Sequence, residues 1–233
     1  MKHGIQRSSK WVIAATVAVA VIAGGLALGS NMGFKFNAQV FTTGGALPKG
    51  DNWLSVPDNN PYNKANLVCQ HLGLTSTGVN STRGVVSRLI TSTGVFQNYT
   101  CGTTTALAFA PVVGESLKVR NPATINGIIV GSDNPNNTTP IVAAGGALPK
   151  GDNWVSVPYH TTAVKAHDLC ADIGLVSTGL NSTRGVVSRL ITSTGVFQNY
   201  TCGSNTALAF TLVTGEGAKV RNPVAKSWLP SHF

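Results

Sequence analysis

One segment of this chain occurs twice without a single change. Residues 80–102 read NSTRGVVSRLITSTGVFQNYTCG, and residues 181–203 repeat them 101 positions later. The same offset relates GGALPKGDNW at 44–53 to its copy at 145–154. A unit of about 100 residues has the size of a domain rather than of a solenoid repeat. The sequence therefore predicts two tandem copies of one small domain.

The boundaries of the copies follow from this offset. Copy 1 spans residues 34–130 and copy 2 spans residues 140–233, with the turn-rich linker GSDNPNNTT at 131–139 between them. The copies differ mainly in a predicted helix and its adjoining loops. Within the unchanged segment, the strand-like runs at 84–91 and 95–101 predict a hairpin, because only a short Gly-containing turn separates them. An unchanged hairpin beside a changed helix has two explanations. Either the duplication is recent, or one hairpin surface is kept for one repeated contact.

The N-terminal segment 1–29 predicts export. Three cations, Lys2, Arg7 and Lys10, precede an uncharged run at 11–29, which is the pattern of a secretory signal peptide. This run is also just long enough to cross a bilayer as a hydrophobic helix, so it is either a cleaved signal or a retained anchor. In both cases residues 31–233 are extracellular or displayed at the cell surface, and membrane contact is limited to this helix.

Four cysteines occupy equivalent places in the copies. An even number in an exported chain indicates disulfides, and four cysteines allow three pairings. Pairing within each copy respects the duplication, so we expect Cys69–Cys101 and Cys170–Cys202. No two cysteines have the close spacing of a structural zinc site. We therefore expect no metal, and no cofactor-binding motif is present.

The charge of the chain is positive but dispersed. There are 17 Lys and Arg and 8 Asp and Glu; without the three N-terminal cations, 14 − 8 leaves +6 for the exported part. The cations form no run and are not interleaved with aromatic residues. Together with export, this argues against nucleic acid as a partner.

The pattern of strands and turns predicts a mainly β fold after the N-terminal hydrophobic helix. Each copy has about seven short strand-like runs and one short helix, which suggests a small β-sandwich or barrel-like domain. The expected strands include residues 107–113 and 208–213. In copy 2 the helix is expected to follow Thr162 as its N-cap and to end at Gly174.

The first strand, at 34–41, extends further towards the N-terminus than its counterpart in copy 2. A long apolar strand of this kind either pairs within its own copy or is donated to the open sheet edge of a neighbouring molecule.

Aromatic and basic residues supply the candidate binding sites. Trp53 and Trp154 are either core residues or exposed platforms for sugar rings. Along the second arm of the hairpin, alternation places Tyr99 and Cys101 inside and Phe96 outside, unless a bulge intervenes. The resulting candidate contact surface repeats in both copies and comprises Phe96, Phe197, Arg88 and Arg189.

Catalytic motifs are absent from the sequence. The one carboxylate pair considered for glycoside hydrolysis is Asp51 with Glu115. Because an Asp in a turn usually bonds its own backbone, we expect no enzyme. The favoured interpretation is an exported structural or adhesive cell-surface protein that self-associates as a filament or matrix subunit. The alternative is a polysaccharide- or cell-wall-binding module that uses the aromatic residues.

Overall fold

The computed structural model describes residues 34–42, 50–145 and 150–231. The segment 1–29, predicted to be a signal or an anchor, lies outside the described residues. Within the described ranges, no helix has both the length and the apolar composition needed to cross a membrane.

Each copy contributes six strands and one α-helix to the part of the chain that the structure describes. The elements of copy 1 are β1 Phe34–Val40, β2 Asn52–Ser55, α1 Ala65–Leu72, β3 Val85–Ile90, β4 Val95–Thr100, β5 Ser116–Arg120 and β6 Ile125–Gly131. The elements of copy 2 are β7 Thr139–Ile141, β8 Asn153–Ser156, α2 Ala166–Ile173, β9 Val186–Ile191, β10 Val196–Thr201, β11 Gly217–Arg221 and β12 Lys226–Trp228. The prediction of a mainly β chain with one short helix per copy is confirmed.

Both copies have the same sheet topology. An antiparallel four-stranded sheet runs β2-β5-β3-β4 in copy 1 and β8-β11-β9-β10 in copy 2. A separate two-stranded ribbon pairs β1 with β6, and β7 with β12. The hairpin of β3 and β4 has a regular register from Val85↔Thr100 to Ile90↔Val95, so no bulge interrupts it. Tyr99 is accordingly buried, as the alternation predicts.

The predicted strands at 107–113 and 208–213 are wrong. In both places the chain makes a 3-10 turn and then continues without regular pairing. The backbone of the first segment bonds to the helix instead, because the Phe109 carbonyl accepts the N–H of Ala65 at 2.8 Å. Pro111 has no N–H to offer a ladder, which also disfavours a paired strand.

The N-terminal strand pairs within its own copy. Strand β1 lies antiparallel to β6, with a continuous register from Phe34↔Gly131 to Val40↔Ile125. Of the two sequence-based alternatives, the structure has the intramolecular one. In this arrangement β1 is not a free strand that is available for donation to a neighbour.

The C-terminal ends of the helices lie where the sequence predicts them, whereas the N-terminal start of α2 differs from the prediction. Gly73 and Gly174 end the helices in the left-handed conformation, with φ of 68° and 69°, as a C-terminal glycine should. The expected N-cap Thr162 is wrong: α2 begins after Lys165. The Asp168 carboxylate accepts the Lys165 N–H at 2.8 Å, so an acidic side chain in the first turn fixes this start.

The disulfides join each helix to the end of the hairpin. Cys69 bonds to Cys101 and Cys170 bonds to Cys202, each pair 32 residues apart. This is the pairing within each copy that the duplication predicts. All four residues are at most 5 % exposed, so the bridges lie inside the two cores.

Repeated polar residues connect the ribbon to the sheet. The Asn52 side chain accepts the Phe41 N–H at 2.8 Å and donates to the Val119 carbonyl at 3.1 Å. The neighbouring Asp51 forms an ion pair with Arg120. The same set of contacts recurs in copy 2. Asp-Asn-Trp at 51–53 therefore contacts Val-Arg-Asn-Pro at 119–122, and the same two motifs contact each other at 152–154 and 220–223. These contacts explain why the two motifs recur together.

Each copy has its own apolar core between the helix and one face of its four-stranded sheet. In copy 1 the helix contributes Ala65, Val68, Cys69 and Leu72 to this core. In copy 2 the equivalent helix residues are Ala166, Leu169, Cys170 and Ile173. The opposite face of each sheet is turned away from its helix, and the described residues of the two copies nevertheless form one compact unit.

Candidate functional site

A third apolar cluster joins the two copies. We call it the inter-copy cluster, and its members are Trp53, Leu89, Trp154 and Leu190, with Phe96 and Phe197 packed against them. These residues lie on the sheet faces that do not contact the helices. The two four-stranded sheets therefore face each other in a sandwich-like arrangement. The sequence predicted a sandwich or barrel within each copy, whereas here the second layer is supplied by the other copy.

The two tryptophans stack directly on each other at the centre of this cluster. The ring centroids of Trp53 and Trp154 are 3.5 Å apart and the planes differ by 2°. Their residues are 6 % and 7 % exposed. Each ring also packs against the phenylalanine of its own copy, with 6.1 Å between the ring centroids in both cases. The tryptophans are therefore core residues, and the interpretation as exposed platforms for sugar rings is corrected.

Two serines fasten the edges of the sheets to each other. The Ser55 hydroxyl donates to the Glu216 carbonyl at 2.8 Å and accepts the Val157 N–H at 3.1 Å. Ser156 makes the equivalent pair of bonds to copy 1, at 2.8 and 2.9 Å. Such reciprocity is the property of an isologous interface, here formed within one chain. The copies are related as the subunits of a two-fold dimer would be.

The hairpin turn of each copy also contacts the loop before β2 or β8 of the other copy. The Gly50 N–H donates to the Thr192 carbonyl at 3.2 Å, and the Gly151 N–H donates to the Thr91 carbonyl at 3.0 Å. Both partners of each bond belong to stretches that are identical in the two copies. A reciprocal contact supplies a physical reason for keeping the hairpin unchanged while the helix varies.

Ser55→Ala will lower the free energy of unfolding by about 1 to 3 kcal/mol, because it leaves a buried N–H and a partly buried carbonyl without a partner. Chemical denaturation followed by circular dichroism measures the change. Ser156→Ala should give a similar loss, and the exposed Ser81→Ala should stay within about 0.5 kcal/mol of the wild type. Wild-type stability of both interface variants would show that these bonds do not hold the copies together.

A partly buried lysine in each copy borders the inter-copy cluster. The Lys118 ammonium lies 3.7 Å from the centroid of the Phe96 ring, and Lys219 lies 4.2 Å from that of Phe197. Burial lowers the pKa of both lysines, against the attraction of the nearby aspartates. Since a cation over an aromatic face is favourable, these lysines cover the outer phenylalanines of the cluster.

Arg88 and Arg189 lie on the sheet faces that are opposite to the inter-copy cluster. In the hairpin register Arg88 pairs with Gln97, whereas Phe96 pairs with the next residue, so the two side chains point to opposite faces. The Arg88 guanidinium donates to the Ala110 carbonyl at 3.1 Å and lies 3.4 Å from Glu115. The predicted surface patch of phenylalanine with arginine is therefore wrong.

The acidic residues near these arginines are partly buried. Burial raises the pKa of Glu115, while the Val112 N–H and Arg88 act in the opposite direction. Burial likewise raises the pKa of Glu216, opposed by Arg189. Asp51, the partner that the sequence suggested for Glu115, instead pairs with an arginine of its own. The two carboxylates thus engage different cations rather than each other.

Four of the six predicted binding residues meet, and two do not. The tryptophans and phenylalanines converge in the inter-copy cluster, while the arginines lie apart from it. Sequence reasoning missed Ser55 and Ser156, although both occur in the repeated Ser-Val-Pro stretch. Each serine lies two residues after the tryptophan of its own copy, on the same face of the strand. This spacing is the sequence signal that places both serines at the interface.

A cavity of about 370 Å³ lies between α1 and the loop that follows β4. It is on the helix side of copy 1, away from the inter-copy cluster. The side-chain oxygen of Asn66 is buried and has no hydrogen-bond partner among the residues described. The residues lining the cavity are all uncharged.

No group of three or more His, Cys, Asp or Glu residues suited to a metal ion occurs in ranges 34–42, 50–145 and 150–231. The two disulfides are more typical of extracellular than of cytosolic proteins. No protein-family model, curated protein or solved structure matches this chain.

Proposed function

We propose that this chain is an exported, non-enzymatic structural or adhesive protein of the cell surface that assembles with further copies of itself. The observation that carries the proposal is the joining of two disulfide-stapled copies through reciprocal contacts. Such a unit presents the same structural features twice, in symmetric positions, which suits a building block that repeats along an assembly.

The surfaces proposed for assembly are the outer edges of the four-stranded sheets. Strands β4 and β10 are the last strands of their sheets, and both read VFQNYT. An edge strand presents backbone groups to which another chain can add. Because the two edges are identical and belong to symmetric copies, pairing of one edge with the same edge of a neighbour leaves the second edge open. Repetition then extends the assembly in one direction.

The orientation of the backbone supports this choice. The Cys101 N–H donates to the Gly84 carbonyl at 2.8 Å, across the hairpin. Because the bonds of an antiparallel strand alternate between its two sides, the backbone groups of Phe96 and Asn98 point away from β3. Asn98 and its counterpart Asn199 are exposed, so these positions are accessible to a neighbouring chain.

Negative-stain microscopy and size-exclusion chromatography of oxidised residues 30–233 test the proposal. The wild type should form filaments or ordered oligomers. Asn98→Lys with Asn199→Lys should remove them, because a charge on an edge strand opposes pairing of edges. Thr77→Lys with Thr178→Lys adds the same charge at exposed positions outside the strands and should leave assembly intact.

A monomeric wild type at high concentration would contradict self-assembly. Assembly of both lysine variants would instead reject the edge strands as the site of contact. Circular dichroism of each variant is needed alongside, because a loss of assembly is informative only when the fold is retained.

A further inference from the structure

We propose that the cavity beside α1 in copy 1 is a binding site for a neutral sugar unit, such as one residue of a cell-surface polysaccharide. The proposal deepens the adhesive part of the proposed function and rests on it for the setting in which the ligand is met. It places the site away from the aromatic residues that the sequence suggested. The cavity lies on the surface of the sheet layer that faces away from copy 2.

The lining combines a buried floor with a polar rim. Cys69, Leu74 and Tyr99 are buried and form the apolar floor beside the disulfide. The polar lining side chains are those of Asn66, Gln70, Ser76, Thr103 and Thr105. Amide and hydroxyl groups both donate and accept hydrogen bonds, so they match a ligand that is itself rich in hydroxyl groups.

The hydrogen bonding of the Asn66 side chain, which lines the cavity, is incomplete within the described residues. Its carbonyl oxygen is shielded from solvent and accepts no bond within the described part of the chain. A buried acceptor without a partner is unfavourable, but an oxygen that water cannot touch is reached by a ligand hydroxyl group only after the side chain rotates. The Tyr99 hydroxyl is already engaged, since it donates to the Thr103 carbonyl at 3.0 Å. Rotation of the Asn66 side chain towards the cavity would bring its amide group within reach of a ligand hydroxyl group.

The charge and the size of the cavity narrow the class of ligand. No charged side chain lines it, so neither a phosphate nor a carboxylate would find a counter-ion. Its volume of about 370 Å³ is near the lower end of the range for small-molecule sites, about 300 to 1,000 Å³. This suits one sugar ring rather than an extended segment of polymer inside the cavity.

The second copy provides a natural comparison. Gly73, Leu74, Ser76, Tyr99 and Gly102 have identical counterparts, whereas three polar positions change: Asn66 is His167, Gln70 is Ala171 and Thr103 is Ser204. His167 pairs with Asp168 through Nε2 at 2.9 Å. The Nδ1 atom of His167 is, like the Asn66 oxygen, buried without a partner in the described residues, so the copies differ here only in the three side-chain types.

Two-dimensional NMR of ¹⁵N-labelled residues 30–233, titrated with glucose and with N-acetylglucosamine, tests the site. At least one sugar should shift the amide signals of Asn66, Gln70 and Thr103 in a saturable manner, with little change at the counterparts in copy 2. The triple variant Asn66→His, Gln70→Ala, Thr103→Ser gives copy 1 the residues of copy 2, which folds with them. It should bind about tenfold more weakly or worse, as expected for one or two lost hydrogen bonds.

Three outcomes would overturn the proposal. The first is the absence of saturable shifts at the cavity with either sugar. The second is equal binding by the triple variant, and the third is tighter binding of glucuronate than of glucose, since the proposed site is neutral. The variant retains β4 and β10, so loss of sugar binding with intact assembly separates this site from the edge contacts of the proposed function.

Discussion

Trp53→Ala will destabilise the protein by about 3 to 5 kcal/mol, the range for removing a buried aromatic side chain. The substitution removes one of two rings stacked at 3.5 Å and leaves a cavity between the sheets. It also takes an apolar partner from Phe96, 6.1 Å away. Urea unfolding followed by far-ultraviolet circular dichroism measures the loss without relying on tryptophan fluorescence.

The symmetry of the stack sharpens this first prediction. Trp154→Ala should cost a similar amount, and the double variant should lose less than the sum, because each ring is the other's main partner. The control is Leu107→Ala, at a residue that is 65 % exposed, with an expected change within about 0.5 kcal/mol. Additive losses would mean that the rings stabilise their own copies and not the contact between them.

The second large effect concerns the disulfides. Cys69→Ala with Cys101→Ala will lower the free energy of unfolding by about 3 to 4 kcal/mol, because the bridge closes a loop with a sequence separation of 32 residues. The loss arises mainly from the greater freedom of the unfolded chain. Urea unfolding of the variant and of the oxidised wild type under identical conditions measures it.

The second copy again supplies the matched experiment. Removal of Cys170 and Cys202 opens a loop with the same sequence separation of 32 residues and should cost a similar amount. A change below about 1 kcal/mol for either pair would contradict the loop-entropy origin of the stabilisation. A large inequality between the pairs would show that the copies do not unfold together.

Much of the local structure was predictable because it depends on neighbours in the sequence. The C-terminal glycines of the helices, the regular hairpin and the inward position of Tyr99 follow from turn residues and from strand alternation. The pairing of Cys69 with Cys101 follows from the duplication. These features need no knowledge of what lies across the molecule.

The contact between the copies was not predictable in the same way. Alternation placed Phe96 outside its own core, which is correct, but it does not reveal that the other copy covers that face. The same limit applies to Trp53, whose partner is 101 positions away. Phe96 and Arg88 lie on paired strands but on opposite faces of the sheet, so their closeness along the hairpin does not bring the side chains together.

The layering of the molecule has a consequence for avidity. Because the sheets face each other, α1 and α2 cover surfaces that point away from each other. A flat surface that binds the helix face of one copy cannot reach the helix face of the other copy. The effective concentration for a second contact on the same flat surface is therefore close to zero. Any ligands held on the two helix surfaces would belong to separate partners. The duplication therefore does not strengthen the hold of the two helix surfaces on a single flat surface.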